Sequence, residues 1–460
     1  MTTRRNRPNT RASQKNIKVN GTLHRSNGWI TARIYGAPFD RGFAHGYLLY
    51  KELKSISPIL KHLVKTYYKT SLTEYLERCK ASIQPHLKTP EWGFIEQELR
   101  GICAGYKKRG VSGLDYDLLV GWNSYLSFSE VYASINKEVD LEVVNLEVVV
   151  QRCSAFIATG SATHDGKIIM AHNTHSYFLT GFISNIALYV YQEDPDSAFM
   201  MQVAPGLISS SADWFITQHG IVGCETTIAN ISYVPDFTQN VPYFLRIRKA
   251  MEQGQTMDDY VAIMSDRNAG DYACSWLFGD IRTNEIMRFE QGFQTSDVQR
   301  THNGTFHGMN SAISPVLRAL ETTDTGFNDS HSGTGARNLR LEYLLRKPGL
   351  SIADAKRIIS DHYDVGENRE CKGLRTICKH GECDYKHGEC ADQFAPTGAT
   401  DGKVVDSDMA QTMSFEGIMG SSCGRVFQKK DYPDYSPKHG HWKKLVPNMP
   451  KWPWAKITKP

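Results

Sequence analysis

The sequence predicts an α+β fold in which antiparallel sheets carry helices on their outer sides, preceded by a mostly helical N-terminal piece. Two observations predict it: the apolar period changes near Glu138, and consecutive strand-like runs follow with few helices between them. From about Gly42 to Ile135 the segments AHGYLLYKELKSISPILKHLVKTYYK, SLTEYLERCKASI, PEWGFIEQELRGICAGYKKRG and LDYDLLVGWNSYLSF repeat apolar residues at three- and four-residue spacing. Gly110 closes one of these helices and Pro90 opens another.

After Glu138, LEVVNLEVVV leads into CSAFIAT, a turn around Asp165-Gly166, and KIIMAHN, which reads as a strand hairpin with Cys153 at its start. Further strands are predicted at ISNIALYVYQ, SAFMMQVA, ADWFITQ, GIVGCETTI, CSWLFGD and EIMRFEQG, with reversals at His219-Gly220 and Arg282-Thr283-Asn284. Their succession favours antiparallel pairing. VPYFLRIRKAMEQ, MDDYVAIMS, GARNLRLEYLLRK and SIADAKRIISDHY are the helices expected to cover the sheets. These shifts divide the chain into a disordered basic tail (1–28), the helical piece (29–152), a β-rich core (153–426) and an extended Pro/Lys/Trp-rich segment (427–460).

Composition narrows the function classes. Hydrophobic residues make up 40% and charged residues 22% of 460, the balance of a globular protein with a large core. No apolar run reaches membrane-spanning length and no secretory leader is visible, so the cytoplasm is the default compartment. The net charge of +4 is concentrated at the front, where eight Lys or Arg precede Asp40, the first acidic residue. Basic residues confined to tails argue against a nucleic-acid partner. Trp442, Trp452 and Trp454 beside lysines suit a peripheral membrane contact, or alternatively pack onto the domain.

Three short patterns carry candidate chemistry. GSSCG, Gly420 to Gly424, matches the G-x-S-x-G elbow around Ser422, but too little chain follows to supply the acid and histidine, and a turn is the simpler reading. CKHGECDYKHGEC offers Cys378, His380, Cys383, His387 and Cys390 as soft ligands for a structural zinc. The pair spacings usual for zinc are missing, a disulfide or free-thiol loop competes, and no metal or other cofactor is assigned. Cys153 is one of ten cysteines, and its local pattern alone does not separate a nucleophile from a buried structural thiol.

The run RCSAFIATGSATHDGKIIMAHNTHSYF, Arg152 to Phe178, resembles the start of the mature chain in the phospholipase B-like family and in the related acyl-coenzyme A:6-aminopenicillanic acid acyltransferase family. YGAPFDRGFAHGYLL is similar to an early acyltransferase block. PGLISSSADWFITQHGIVGCETT, NAGDYACSWLFGD, GMNSAIS and PTGATDGKVVDSDMA resemble phospholipase B-like blocks, in order, across nearly the whole chain outside the tails.

The resemblance implies the N-terminal-nucleophile (Ntn) hydrolase fold, a four-layer αββα sandwich. It also implies self-cleavage between Arg152 and Cys153 into associated fragments of 152 and 308 residues. The freed Cys153 is then expected to hydrolyse amide or ester bonds of lipid or N-acyl substrates through a thioester. Acyl transfer to an amine is one alternative, and a catalytically silent membrane- or protein-binding role on the same fold is another.

As partners of Cys153 the resemblance implies Asn310 and Thr227 for an oxyanion hole and Arg337 as an active-site cation. His172 and Asn173, on the paired strand, are placed within reach. Asn310 as a turn cap, Thr227 as an ordinary strand residue and Arg337 as a solvated helix charge remain the competing readings. His175 stands where many cysteine Ntn enzymes have an aspartate, which puts the orientation of Cys153 in question. Glu225 is expected either to hold the α-amine or to be a structural carboxylate.

Overall fold

The computed structural model describes residues 18–138, 153–192, 197–210, 213–229, 233–323, 326–383, 396–432 and 442–460. The strand expected at LEVVNLEVVV, Arg152, His387 and Cys390 lie outside them. In chain order the strands are β1 (Gly21–Ser26), β2 (Trp29–Tyr35), β3 (Cys153–Gly160), β4 (Gly166–Tyr177), β5 (Ile186–Tyr191), β6 (Ala198–Val203), β7 (Trp214–Thr217), β8 (Ile221–Thr227), β9 (Cys274–Asp280), β10 (Glu285–Gln291), β11 (Ser296–Thr301) and β12 (Gly304–Gly308). They continue with the short pair β13 (Tyr363–Asp364) and β14 (Arg369–Glu370), then β15 (Thr397–Ala399), β16 (Asp401–Asp406), β17 (Phe415–Met419) and β18 (Ala455–Ile457).

A nine-stranded sheet runs β1-β2-β5-β6-β7-β8-β9-β10-β11, and a seven-stranded one runs β12-β3-β4-β16-β17-β18 with β15 beside β4. Strands β3 and β12 of the second sheet pack against β8, β9 and β10 of the first. Helices Tyr243–Gln253 and Met257–Ser265 cover the outer face of the nine-stranded sheet, and Gly333–Leu345 and Ile352–Ile359 cover the other. The result is the expected αββα sandwich.

Period-two alternation assigns the faces of β3. Ala155 and Ile157 join Ile168 and Val222 in the core between the sheets. Phe156 and Ala158 pack instead with Leu341, Leu345 and Ile358 under the outer helices.

Three expectations change. Residues 21–26 are strand β1 rather than tail, registered from Gly21 opposite Ile34 to Ser26 opposite Trp29, because a tight turn at Asn27-Gly28 folds them back on β2. The pairing is not wholly antiparallel, since β2 runs parallel to β5. The whole helical piece lies between these two strands in sequence, and a parallel pair requires just such a long crossover. The C-terminal segment is partly integrated as well: β18 pairs with β17, Trp442 is buried, and Trp452 and Trp454 are half-buried against the domain.

Within the helical piece two helices meet at backbone distance, and a buried charge network ties them to the core. Helices Pro38–Leu48 and Gly93–Lys108 cross at Gly42, Gly46, Gly101 and Gly105, where an added Cβ would fall 2.0–2.2 Å from a carbonyl oxygen of the facing helix. This closeness seats the buried Glu98 carboxylate 3.1 Å from Arg41 and 2.7 Å from Arg248 of the core helix, while Glu252 lies 2.9 Å from each arginine. Beside them His45 Nε2 accepts from the Gly206 backbone N–H at 3.0 Å, and Asn123 holds Gly206 O and Ile208 N.

Two predictions follow from this junction. Glu98→Ala leaves Glu252 as the one carboxylate facing two buried guanidinium groups and should cost about 3–5 kcal/mol of stability, read from denaturant midpoints. His45, buried, has its pKa lowered from 6.5 to about 4 by desolvation, with the Glu98 charge opposing. Between those values the unfolded chain binds the extra proton, so stability falls as pH drops from 6.5 towards 4. A series of urea midpoints should show that fall, with a shallower slope in His45→Gln.

Candidate active site

Cys153 is the first residue of β3 and is fully buried, opposite Thr174 of β4. By the alternation its side chain enters the space between the sheets, where Trp122, Tyr125, Thr174, Thr180, Leu207 and Asp213 line a pocket around it. Its backbone nitrogen donates to Asn310 Oδ1 at 3.2 Å, and Asn310 Nδ2 donates to Thr227 O at 3.0 Å. Asn310 holds this bridge from a left-handed backbone, φ 79°, a conformation asparagine tolerates better than most residues. Both ends of its amide are thereby committed to backbone, one of them to the nucleophile's own nitrogen.

Arg337, the fifth residue of the helix Gly333–Leu345, reaches β3 from the outer layer. Its guanidinium donates to Cys153 O at 2.8 Å and Ser154 Oγ at 3.0 Å. Burial lowers its pKa to about 10, which keeps it cationic at neutral pH. It is a buried positioning cation, and the solvated-charge reading does not hold.

The thiol itself is pushed well above the ordinary cysteine range by burial and by the Asp213 and Glu225 charges, while the His175 backbone N–H and Lys403 act in the other direction. His175 thus touches the site through its main chain. Its side chain points away, Nε2 donating to Ile377 O at 3.1 Å, and Asn173 likewise turns its amide to Ile359 O and Ile377 O. The period of two explains both: with Thr174 facing Cys153, residues 173 and 175 face the helix layer. His172 shares the inner side and donates Nε2–H to Glu225 O at 2.9 Å. Burial lowers the pKa values of His172 and His175, which keeps both neutral.

Glu225 and Thr227 are joined through Tyr272, whose hydroxyl lies 2.7 Å from Glu225 Oε1 and 2.6 Å from Thr227 Oγ1. Of the residues expected at the site, Asn310 and Arg337 bond Cys153 directly, Thr227 meets Asn310 through its carbonyl, and His172 meets the carbonyl of Glu225. The side chains of Asn173 and His175 face the helix layer instead.

Tyr272, Asp213 and Lys403 are additions that sequence reasoning missed. Lys403 is fully buried on β16, 2.8 Å from both Asp401 Oδ1 and Thr174 Oγ1. A lysine followed by Val404 and Val405 inside a strand was the available signal.

From Tyr125, His175, Ser176 and Thr180 the pocket continues into a second, more apolar groove. Leu60, Leu63 and Val64 of the helix Ile56–Thr66 form one wall with Tyr67 and Tyr68, and Lys379 and Gly398 lie across from them. Ser422 is not a serine nucleophile: it is buried in the turn after β17 and donates to Ile359 O at 2.7 Å. The Cys/His loop does not reach Cys153. Cys378 and His380 meet His362 and Cys423 instead, and Cys383 is outside that group of four.

A family model described as Phospholipase B matches residues 35–298. Among solved structures, a mutant conjugated bile acid hydrolase from Clostridium perfringens is similar over 66% of this chain and 97% of its own, with 9% identity and a TM-score of 0.34. A second variant of that hydrolase covers 58% of this chain and 81% of its own, with 9% identity and a TM-score of 0.29. No curated protein sequence matches the chain.

The Asn310 bridge yields a prediction independent of substrate. Asn310→Gly keeps the left-handed backbone but frees the Cys153 nitrogen, and Asn310→Ala adds backbone strain to the same loss. In the uncut Cys153→Ala background both should speed amide exchange at position 153 and Ser154 in hydrogen-exchange mass spectrometry, with the Asn310→Ala variant the less stable of the two.

Proposed function

The chain belongs to the phospholipase B family, and on that premise we propose that it is an N-terminal-cysteine hydrolase, released by cleavage of the Arg152–Cys153 bond, that cleaves amide or ester bonds of substrates with an apolar acyl chain. The observation that carries this reading is the double anchoring of Cys153: its thiol opens into a pocket while its nitrogen is held by Asn310 Oδ1 at 3.2 Å.

In the uncut chain that nitrogen is an amide and has no basicity. Attack of the Cys153 thiol on the Arg152 carbonyl transfers the acyl group from nitrogen to sulfur and releases the α-amine. Water then hydrolyses the thioester, regenerating the thiol. The amine, with a reference pKa near ~8, can take the thiol proton while one of its own N–H bonds stays on Asn310. Burial makes such a base necessary, because it holds the free thiol protonated.

On substrate, the thiolate adds to the acyl carbonyl and the leaving amine or alcohol takes the proton. Water resolves the second thioester. Arg337 holds Cys153 O through both stages, and its charge is coupled to that of the cysteine. The groove along Leu60, Leu63 and Val64 fits an apolar acyl chain leading to the carbon under attack.

Intact-mass analysis tests the maturation step. The purified protein should give fragments of 152 and 308 residues, the second beginning at Cys153, and Cys153→Ala should remain whole. A wild-type chain that stays uncut, or a Cys153→Ala chain that splits at the same bond, overturns the proposal. Leu63→Trp should lower kcat/KM for long acyl chains by about tenfold or more and spare short ones, measured on a chain-length series of N-acyl amides and lysophospholipids. Equal losses at every length would remove the groove from the acyl site.

A further inference from the structure

Four side chains from three separate segments converge behind the active site. His362 follows the helix Ile352–Ile359, Cys378 and His380 belong to the loop after β14, and Cys423 lies in the turn after β17. Their ligating atoms all fall within 4.8 Å of one another. His380 Nε2 lies 3.1 Å from His362 Nε2, 3.5 Å from Cys378 Sγ and 3.4 Å from Cys423 Sγ.

These separations are those of a coordination shell. A tetrahedral ion at metal–nitrogen and metal–sulfur lengths of about 2.05 and about 2.3 Å sets its nitrogens roughly 3.3 Å apart and each nitrogen roughly 3.5 Å from each sulfur. The tautomer of His380 is fixed as a ligand requires: its Nδ1 donates to Glu382 Oε1 at 2.7 Å, which turns the Nε2 lone pair inward. Cys378 and His380 are buried and the other two half-buried, so the set is closed on itself.

We propose that His362, Cys378, His380 and Cys423 bind one structural zinc ion. Two thiolates and two neutral imidazoles neutralise Zn²⁺, the two thiol protons leave to solvent, and tetrahedral sulfur–nitrogen ligation is what this ion favours.

The ion would staple the segment behind the active-site strand. Ile377 O, next to Cys378, accepts from both His175 and Asn173 of β4, and Lys379 lines the apolar groove. The ligand set also differs from a run of neighbours in one loop: His362 and Cys423 come from 16 residues before and 45 residues after Cys378.

The test uses the full chain purified in reductant without chelator. Elemental analysis should find about one zinc per chain, and exchange for Co²⁺ should give the intense visible bands of a tetrahedral site with thiolate-to-metal absorption in the near ultraviolet. Cys423→Ser should lose most of the metal, Cys383→Ser should retain it, and Glu382→Gln should weaken affinity about 10- to 100-fold in chelator competition. Should a variant fail to fold, the cobalt spectrum of the wild type decides by itself. Wild type that takes up neither ion, that holds copper instead, or that carries a Cys378–Cys423 disulfide in non-reduced peptide maps overturns the proposal, as does metal loss from Cys383→Ser alone.

Discussion

The contact on which the rest of the structure depends is the glycine-lined crossing of the helices Pro38–Leu48 and Gly93–Lys108. With no side chain at Gly42, Gly46, Gly101 or Gly105, the two backbones touch, and Glu98 is delivered into a buried position between Arg41 and Arg248. A buried carboxylate is costly unless its lone pairs are satisfied, and here two guanidinium groups satisfy them while Glu252 balances the second positive charge. The helical piece is thus not an appendage. It contributes β2 to the interior of the nine-stranded sheet and Trp122, Tyr125, Leu60 and Leu63 to the walls of the two pockets. A chain cut before Cys153 would keep its halves together through the β2–β5 ladder and this charge network.

Register at β3 is the second constraint, and it is enforced chemically. A slip of one residue would send Ser154 between the sheets and Cys153 under the helix layer. Arg337 opposes the slip because its guanidinium binds Cys153 O and Ser154 Oγ together, a pairing available in one register. The hydrophobic pattern agrees, with Ala155 and Ile157 inside and Phe156 and Ala158 outside. Asn310, just past the adjacent strand β12, adds a third tie.

How much of this was legible in the sequence depends on how local each cause is. Strands β5 to β10 were visible because each is a short apolar run bounded by a turn, with His219-Gly220 and Asn284 bearing the left-handed or glycine geometry those turns need. Strand β1 was hidden because an edge strand exposes most of its residues, and β2 because its parallel partner lies some 150 residues away. At the site, Cys153 and Arg337 were singled out through dispersed family-like blocks. Asn173 was placed within reach by treating strand proximity as side-chain proximity, although alternation from Cys153 opposite Thr174 turns its side chain, and that of His175, to the other face. Asp213, Tyr272 and Lys403 owe their places to tertiary partners, and His362 and Cys423 complete a cluster that no spacing rule within one loop describes.

The electrostatics of the pocket bear on why a terminal amine suits this cysteine. His172 and His175 are the nearest imidazoles, yet both are buried, neutral and bonded through Nε2 to main-chain carbonyls. Lowered pKa values make them poor bases near neutral pH. Asp213 and Glu225 oppose formation of a thiolate, whereas Lys403 and the His175 N–H favour it, and desolvation outweighs them. A base for this thiol must therefore be created at the site and stay close to the sulfur. An α-amine on the same residue meets both demands, being tethered two bonds from the carbon that bears sulfur and held by Asn310, and it exists only once the bond before Cys153 has been cut. In that scheme the buried environment ties the turnover of external substrate to maturation, because only the cut chain carries that amine.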